Sequence, residues 1–136
     1  MIQLTDRKTL TLAAAKEIAA AAAAEAHQHG WNVVIAILDD GGHLLYFERL
    51  DGTQLASIEV AVAKARAAVY YKRPTKQLEE RVVGGGVNAL NLPHFMPIQG
   101  GEPIVVQGQL LGAIGVSGVT SEQDAQIARA ALQAVK

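Results

Sequence analysis

Apolar positions along this chain recur with two spacings, and the spacings separate strands from helices. Trp31 to Leu38 (WNVVIAIL) and Leu110 to Val116 (LLGAIGV) are short, largely β-branched runs that are apolar on both faces. Such runs read as strands covered on both sides. Each belongs to a hairpin. Asp39-Asp40-Gly41-Gly42 turns the first run into His43–Arg49 (HLLYFER), and Gln107-Gly108-Gln109 joins Ile104–Val106 to the second. Gly112 and Gly115 lie an odd number of residues apart, so they occupy opposite faces of the return strand. Each leaves room there for another backbone, a helix or a ligand to come close.

The other spacing is helical. From Thr5, a capping residue followed by Asp6 in the first turn, nothing interrupts a helix until Gly30. At about 1.5 Å per residue this is a rod of about 36 Å, slim because it is rich in alanine between Ala13 and Ala26. A second helix runs from about Gln54 to Lys72, where Pro74 ends it. Its apolar stripe is Ile58, Val62, Ala65 and Val69. A short helix follows over 75–83, then Gly84-Gly85-Gly86. Residues 87–100 (VNALNLPHFMPIQG) have no clean period and read as an ordered loop with a short strand at 97–99. Thr120-Ser121-Glu122-Gln123 has the capping-box pattern and opens a last helix reaching about Val135. The predicted order is α-β-β-α-α-β-β-β-α. This is one α+β domain over 1–136, with an antiparallel sheet of about five strands and helices on its faces.

Composition narrows the function classes. Of 136 residues half are apolar and 18% charged, which argues against disorder. A formal charge of −1 gives no electrostatic reason to expect nucleic acid or an anionic membrane as partner. The absence of cysteine removes disulfides and thiolate metal sites and suits a reducing compartment. The apolar run from Ile18 to Ala24 is too short to span a bilayer, and no secretion signal stands at the start. The expected location is the cytoplasm.

Several stretches together resemble one family. They are VVIAILDDGGHLLYFERLDG (33–52), Ala56-Ser57 leading into the second helix with Lys64, and Arg73-Pro74-Thr75. Gly100-Gly101-Glu102-Pro103-Ile104 and Gly112-Ala113-Ile114-Gly115-Val116-Ser117-Gly118 follow, with Asp124 shortly after. This string resembles the haem-binding, or haem-degrading, family of the GlcG-like proteins, HbpS and the C-terminal domain of PduO-type corrinoid adenosyltransferases. The resemblance implies a profilin-like α/β/α sandwich that assembles into homo-oligomers. It also implies a link to haem or other tetrapyrroles, or to operons for small alcohols and acids.

Candidate chemistry is sparse. His94 sits in the irregular loop beside Leu92, Phe95 and Met96; it is either an axial ligand for haem iron in an apolar pocket or a solvated loop histidine. His27 and His29 are two apart on a helix and point to different sides, and His43 follows a Gly-Gly turn. With no HxxxH or HExxH spacing, a zinc site is disfavoured. Gly115-Val116-Ser117-Gly118-Val119 falls short of a nucleophile elbow, because Val119 replaces the final glycine and no histidine follows. Gly112, Gly115 and Gly118 do not make the dinucleotide fingerprint, and Gly84-Gly85-Gly86 lacks the lysine of a P-loop.

The bend Ser117–Thr120 leads to a helix amino terminus whose free N–H groups either hold a carboxylate or are capped by Thr120. Lys64, amid small apolar residues, either snorkels to water or faces an acid, with Asp39, Asp51 or a ligand carboxylate as partner. Tyr70, Tyr71 and Arg73 form an aromatic-basic cluster. The expected ligand-binding set is therefore His94, Lys64, Arg73, Tyr70, Gly100, Gly101, Ser117 and Gly118, around a pocket between the second helix, the loop 87–101 and the central hairpin. The leading reading is a haem- or tetrapyrrole-binding module with His94 on the iron. The alternatives are an enzyme or accessory acting on a small hydroxy- or oxo-compound, and an assembly subunit without a ligand.

Overall fold

The computed structural model describes residues 1–135. In chain order the elements are α1 (Leu12–His29), β1 (Val34–Asp39), β2 (Leu44–Arg49), α2 (Ala56–Tyr71), α3 (Thr75–Val83), β3 (Gly101–Val106), β4 (Gln109–Ser117) and α4 (Ser121–Ala131). Single turns of 3-10 helix lie at Val87–Asn91 and Leu132–Val135. The strands make one antiparallel sheet in the order β2-β1-β4-β3, so the two doubly apolar strands are its centre.

Strand alternation divides the core in two. Val33, Ile35, Ile37, Ile104, Ile114 and Val116 pack beneath α1 and α4, whereas Val34, Ala36, Leu38 and Ala113 pack beneath α2. The sheet is thus covered by helices on both faces. The α2 side is unusually close. A Cβ on Gly115 would stand 2.0 Å from the Ala61 carbonyl oxygen and 2.7 Å from the Ala65 nitrogen, so helix backbone rests directly on the strand. Gly112 instead accommodates the backbone of β1 at Leu38, 2.1 Å from where its Cβ would be. The two glycines have the different neighbours their opposite faces imply.

Close approach also refines the reading of α2. Its buried residues include Ser57, Ala61, Lys64, Ala65, Ala68 and Val69, while Ile58 and Val62 are half-buried and pack against the same cluster. Ala61 and Ala65, whose backbone meets Gly115, are small, as a helix lying on a glycine requires.

Two expectations need correction. The first helix starts at Leu12 and is capped by Thr11, whose hydroxyl accepts from the Ala14 N–H; Thr5 is not its cap. The preceding residues cross the end of the sheet instead. Arg7 pairs with Asp40 in one hairpin turn, and the Lys8 N–H donates to the Gln109 side chain beside the other. The sheet has four strands, and 97–99 is not a fifth. There the Ile98 N–H turns back to the Met96 carbonyl and Pro97 has no N–H. Ladder bonding resumes only where Val116 N–H donates to the Gly100 carbonyl. The hairpin β3–β4 closes through Gln107 and Gly108, both at positive φ (51° and 78°), the geometry of a type I′ turn. On the open side of β3, the Gly101 N–H donates to Thr75 Oγ1 at 2.9 Å, and Pro103 lies two residues further along.

Candidate functional site

Residues 92–96 lie over the outer face of α2 and are held there by aromatic contacts. The Tyr71 hydroxyl donates to the Pro93 carbonyl. Phe95 meets the Tyr71 ring edge-on at 5.4 Å, under the Arg81 guanidinium 5.8 Å from its centroid. His94, in the left-handed region at φ 58°, sets its imidazole edge-on to Tyr70 at 4.8 Å. Between this segment and the helix is a cleft of ≈ 110 Å³ lined by Ala63, Arg66, His94, Phe95 and Met96. It adjoins an open trough of ≈ 370 Å³ along Ile58, Glu59, Val62, Ala63 and Arg66. Ala63 and Arg66 belong to both, so the two form one depression with an imidazole and a guanidinium on a largely apolar wall. Among the described residues, no three His, Asp or Glu side chains are grouped to hold a metal ion.

On the opposite side of α2, Lys64 is buried with its side chain 2% exposed. Its ammonium donates to Asp124 Oδ2 and to the Val116 carbonyl, both at 3.0 Å. Asp124 is as deeply buried and accepts from the Val119 N–H at 3.1 Å through its other oxygen. Burial lowers the Lys64 pKa and raises that of Asp124, each against the pull of the partner's charge. The pair ties α2 to the start of α4 past the end of β4. Lys64 therefore faces Asp124, in place of Asp39, Asp51 or a ligand carboxylate.

The glycines of the expected set belong to this seam and not to the cleft. A Cβ on Gly100 would stand 2.8 Å from Lys64 Nζ, and one on Gly101 2.3 Å from the Lys64 carbonyl oxygen. Gly118, at φ 151°, lies against the Asn32 carbonyl. The Ser117 hydroxyl donates to that of Ser57 at 3.1 Å, both buried. The α4 terminus is closed as well. Thr120 and Gln123 complete the capping box, and Asp124 takes the amide before it. Arg73 is exposed and spends its Nε–H on the Tyr71 carbonyl at 2.8 Å. Of the expected set, the structure brings His94 and Tyr70 together, gathers Lys64, Gly100, Gly101, Ser117 and Gly118 near the seam, and leaves Arg73 apart. The central hairpin lies beneath α2, so it does not line the cleft.

A family model described as haem degrading protein HbpS-like matches residues 10–133. The chain belongs to the HbpS-like family. Protein GlcG of Escherichia coli strain K12 is 43% identical over 103 residues, covering 76% of this chain and 77% of GlcG. A double mutant of Streptomyces reticuli HbpS superposes with a TM-score of 0.89 at 33% identity, over 98% of this chain and 91% of that one. The structure described as a PduOC:heme complex gives 0.86 at 30% identity, over 95% and 96% of the two chains.

Within this HbpS-like chain, sequence reasoning did not single out Arg66, which lines both cleft and trough. Its signal was position: Arg66 stands four residues before Tyr70 and three after Ala63, on the same outward helix face. The Lys64–Asp124 pairing had no local signal, since 60 residues separate the partners. A roomier cavity, ≈ 500 Å³ at the β3 edge, is lined by Pro103, Val105, Val106, Gln107, Leu132 and Val135. None of these is an acid, a base or a metal ligand, so it offers shape without chemistry.

Proposed function

We propose that this chain is a binding module for haem or a related tetrapyrrole, held against the outer face of α2 with His94 as the iron contact. The observation that carries the reading is the position of the His94 imidazole at the mouth of a cleft otherwise walled by Ala63, Phe95, Met96 and one guanidinium. An imidazole beside an apolar, polarisable wall is suited to a metalloporphyrin. The haem complex formed by the structurally similar PduOC supports the same ligand class. The cleft alone, at ≈ 110 Å³, is smaller than the roughly 300–1,000 Å³ of small-molecule sites, whereas cleft and trough together fall within that range. A flat ligand lying along both would keep one face uncovered. A homo-oligomer, which this reading includes, could bury it. No helix among the described residues is long and apolar enough to cross a membrane, and the reading invokes neither a membrane nor nucleic acid.

The test is an absorbance titration with hemin, repeated with a cobalamin and with His94→Ala. A saturable, shifted Soret band whose position changes in His94→Ala is the expected outcome. An identical spectrum in the variant removes the iron contact, and a non-saturating response to both ligands removes the tetrapyrrole reading.

A further inference from the structure

We propose that Arg66 is the carboxylate anchor of this site, binding an acid group on the ligand's edge and selecting tetrapyrroles that carry free carboxylates. The inference rests on the tetrapyrrole reading above and adds the group that decides which tetrapyrrole is held. Arg66 is the one residue other than Ala63 that lines both the cleft and the trough, so a ligand occupying either meets it. It is half-buried and has no carboxylate within ion-pair distance among the described residues. Of the neighbouring cations, Lys64 is held by Asp124, Arg73 donates to the Tyr71 carbonyl, and Arg81 lies over the Phe95 ring without lining the cleft.

A guanidinium on an apolar wall holds a carboxylate through two parallel N–H donors, a geometry an ammonium cannot reproduce. The trough's one acid, Glu59, stands seven residues earlier, about 10 Å along the helix. It places negative charge at the far end and disfavours the reverse orientation of an acidic ligand. An acid group on Arg66 keeps the ligand in the chamber that holds His94, leaving the imidazole for the ring centre.

The test pairs hemin with its dimethyl ester, in which both carboxylates are capped, against the unaltered chain, Arg66→Gln and Arg66→Lys. Loss of one charge-assisted contact should weaken hemin binding to Arg66→Gln by about 10- to 100-fold and leave ester binding unchanged. Arg66→Lys should fall between, and the hemin affinity of the unaltered chain should decline with salt more steeply than that of Arg66→Gln. Equal hemin affinity in the unaltered chain and Arg66→Gln overturns the assignment. So does equal affinity of the unaltered chain for hemin and ester, or an equal loss of both ligands in Arg66→Gln. If the unaltered chain binds neither hemin nor ester, the tetrapyrrole reading itself fails and the assignment falls with it.

Discussion

Lys64 and Arg66 are two residues apart on one helix, and their surroundings differ in every respect that matters to a charge. Lys64 points inward, is shielded from water, and satisfies its ammonium with a carboxylate and a carbonyl. Arg66 points outward onto an apolar depression and meets no acid among the described residues. A buried cation without its partner is very costly, so the first site is closed by architecture. A cation at a wet margin costs little, so the second can remain unpaired. The lesson is that a conspicuous lysine in an alanine-rich helix signalled an internal tie, while an ordinary-looking arginine marked the accessible surface.

The severest way to break this contrast is to remove the acid from the tie. Asp124→Ala leaves Lys64 buried and uncompensated and should cost about 3–5 kcal/mol in a urea unfolding titration. Replacing both partners with apolar residues, as in Lys64→Met with Asp124→Leu, should cost much less than Asp124→Ala alone. A double variant as unstable as the single one would show that the pair contributes more than mutual neutralisation.

A smaller effect is expected at a third buried charge. Glu102 is 8% exposed, opposite Ile114 on β3, and burial raises its pKa against the opposing influence of Arg129 and Lys76. A carboxyl with a raised folded-state pKa binds its proton more tightly folded than unfolded. Its contribution is therefore fully present below about pH 4.5 and is lost as pH rises through the higher folded value. Relative to Glu102→Gln, the unaltered chain should be favoured at acid pH and lose ground as pH increases. Parallel stability–pH curves for the two would contradict this.

The least effect on folding is expected from Arg66→Gln, within about 0.5 kcal/mol, since the side chain is at the surface and breaks no ion pair. A larger loss in the same titration would mean that Arg66, like Lys64, serves the scaffold.

What the sequence made legible follows the range over which each interaction acts. The doubly apolar runs of β1 and β4, the Thr120 capping box and the extent of α3 depend on near neighbours, and they were read correctly. The start of α1 was misplaced because Arg7 and Lys8 are drawn to Asp40 and Gln109, partners that local propensity cannot foresee. Residues 97–99 looked like a strand, yet Pro97 and the turn at Ile98 consume the backbone groups a strand would need. At the candidate site, residue type singles out His94 and Tyr70, and their rings do meet. Lys64, Gly100 and Gly101 were selected for the same reason, but the contacts that occupy them come from distant parts of the chain.

The outer margin of β3 has a consequence for how copies of this protein can meet. Thr75 occupies the amide of Gly101, and Pro103, two residues on, has no amide to offer. That border is a poor template for a strand from another molecule, so this edge of the sheet resists the edge-to-edge pairing that leads to aggregates.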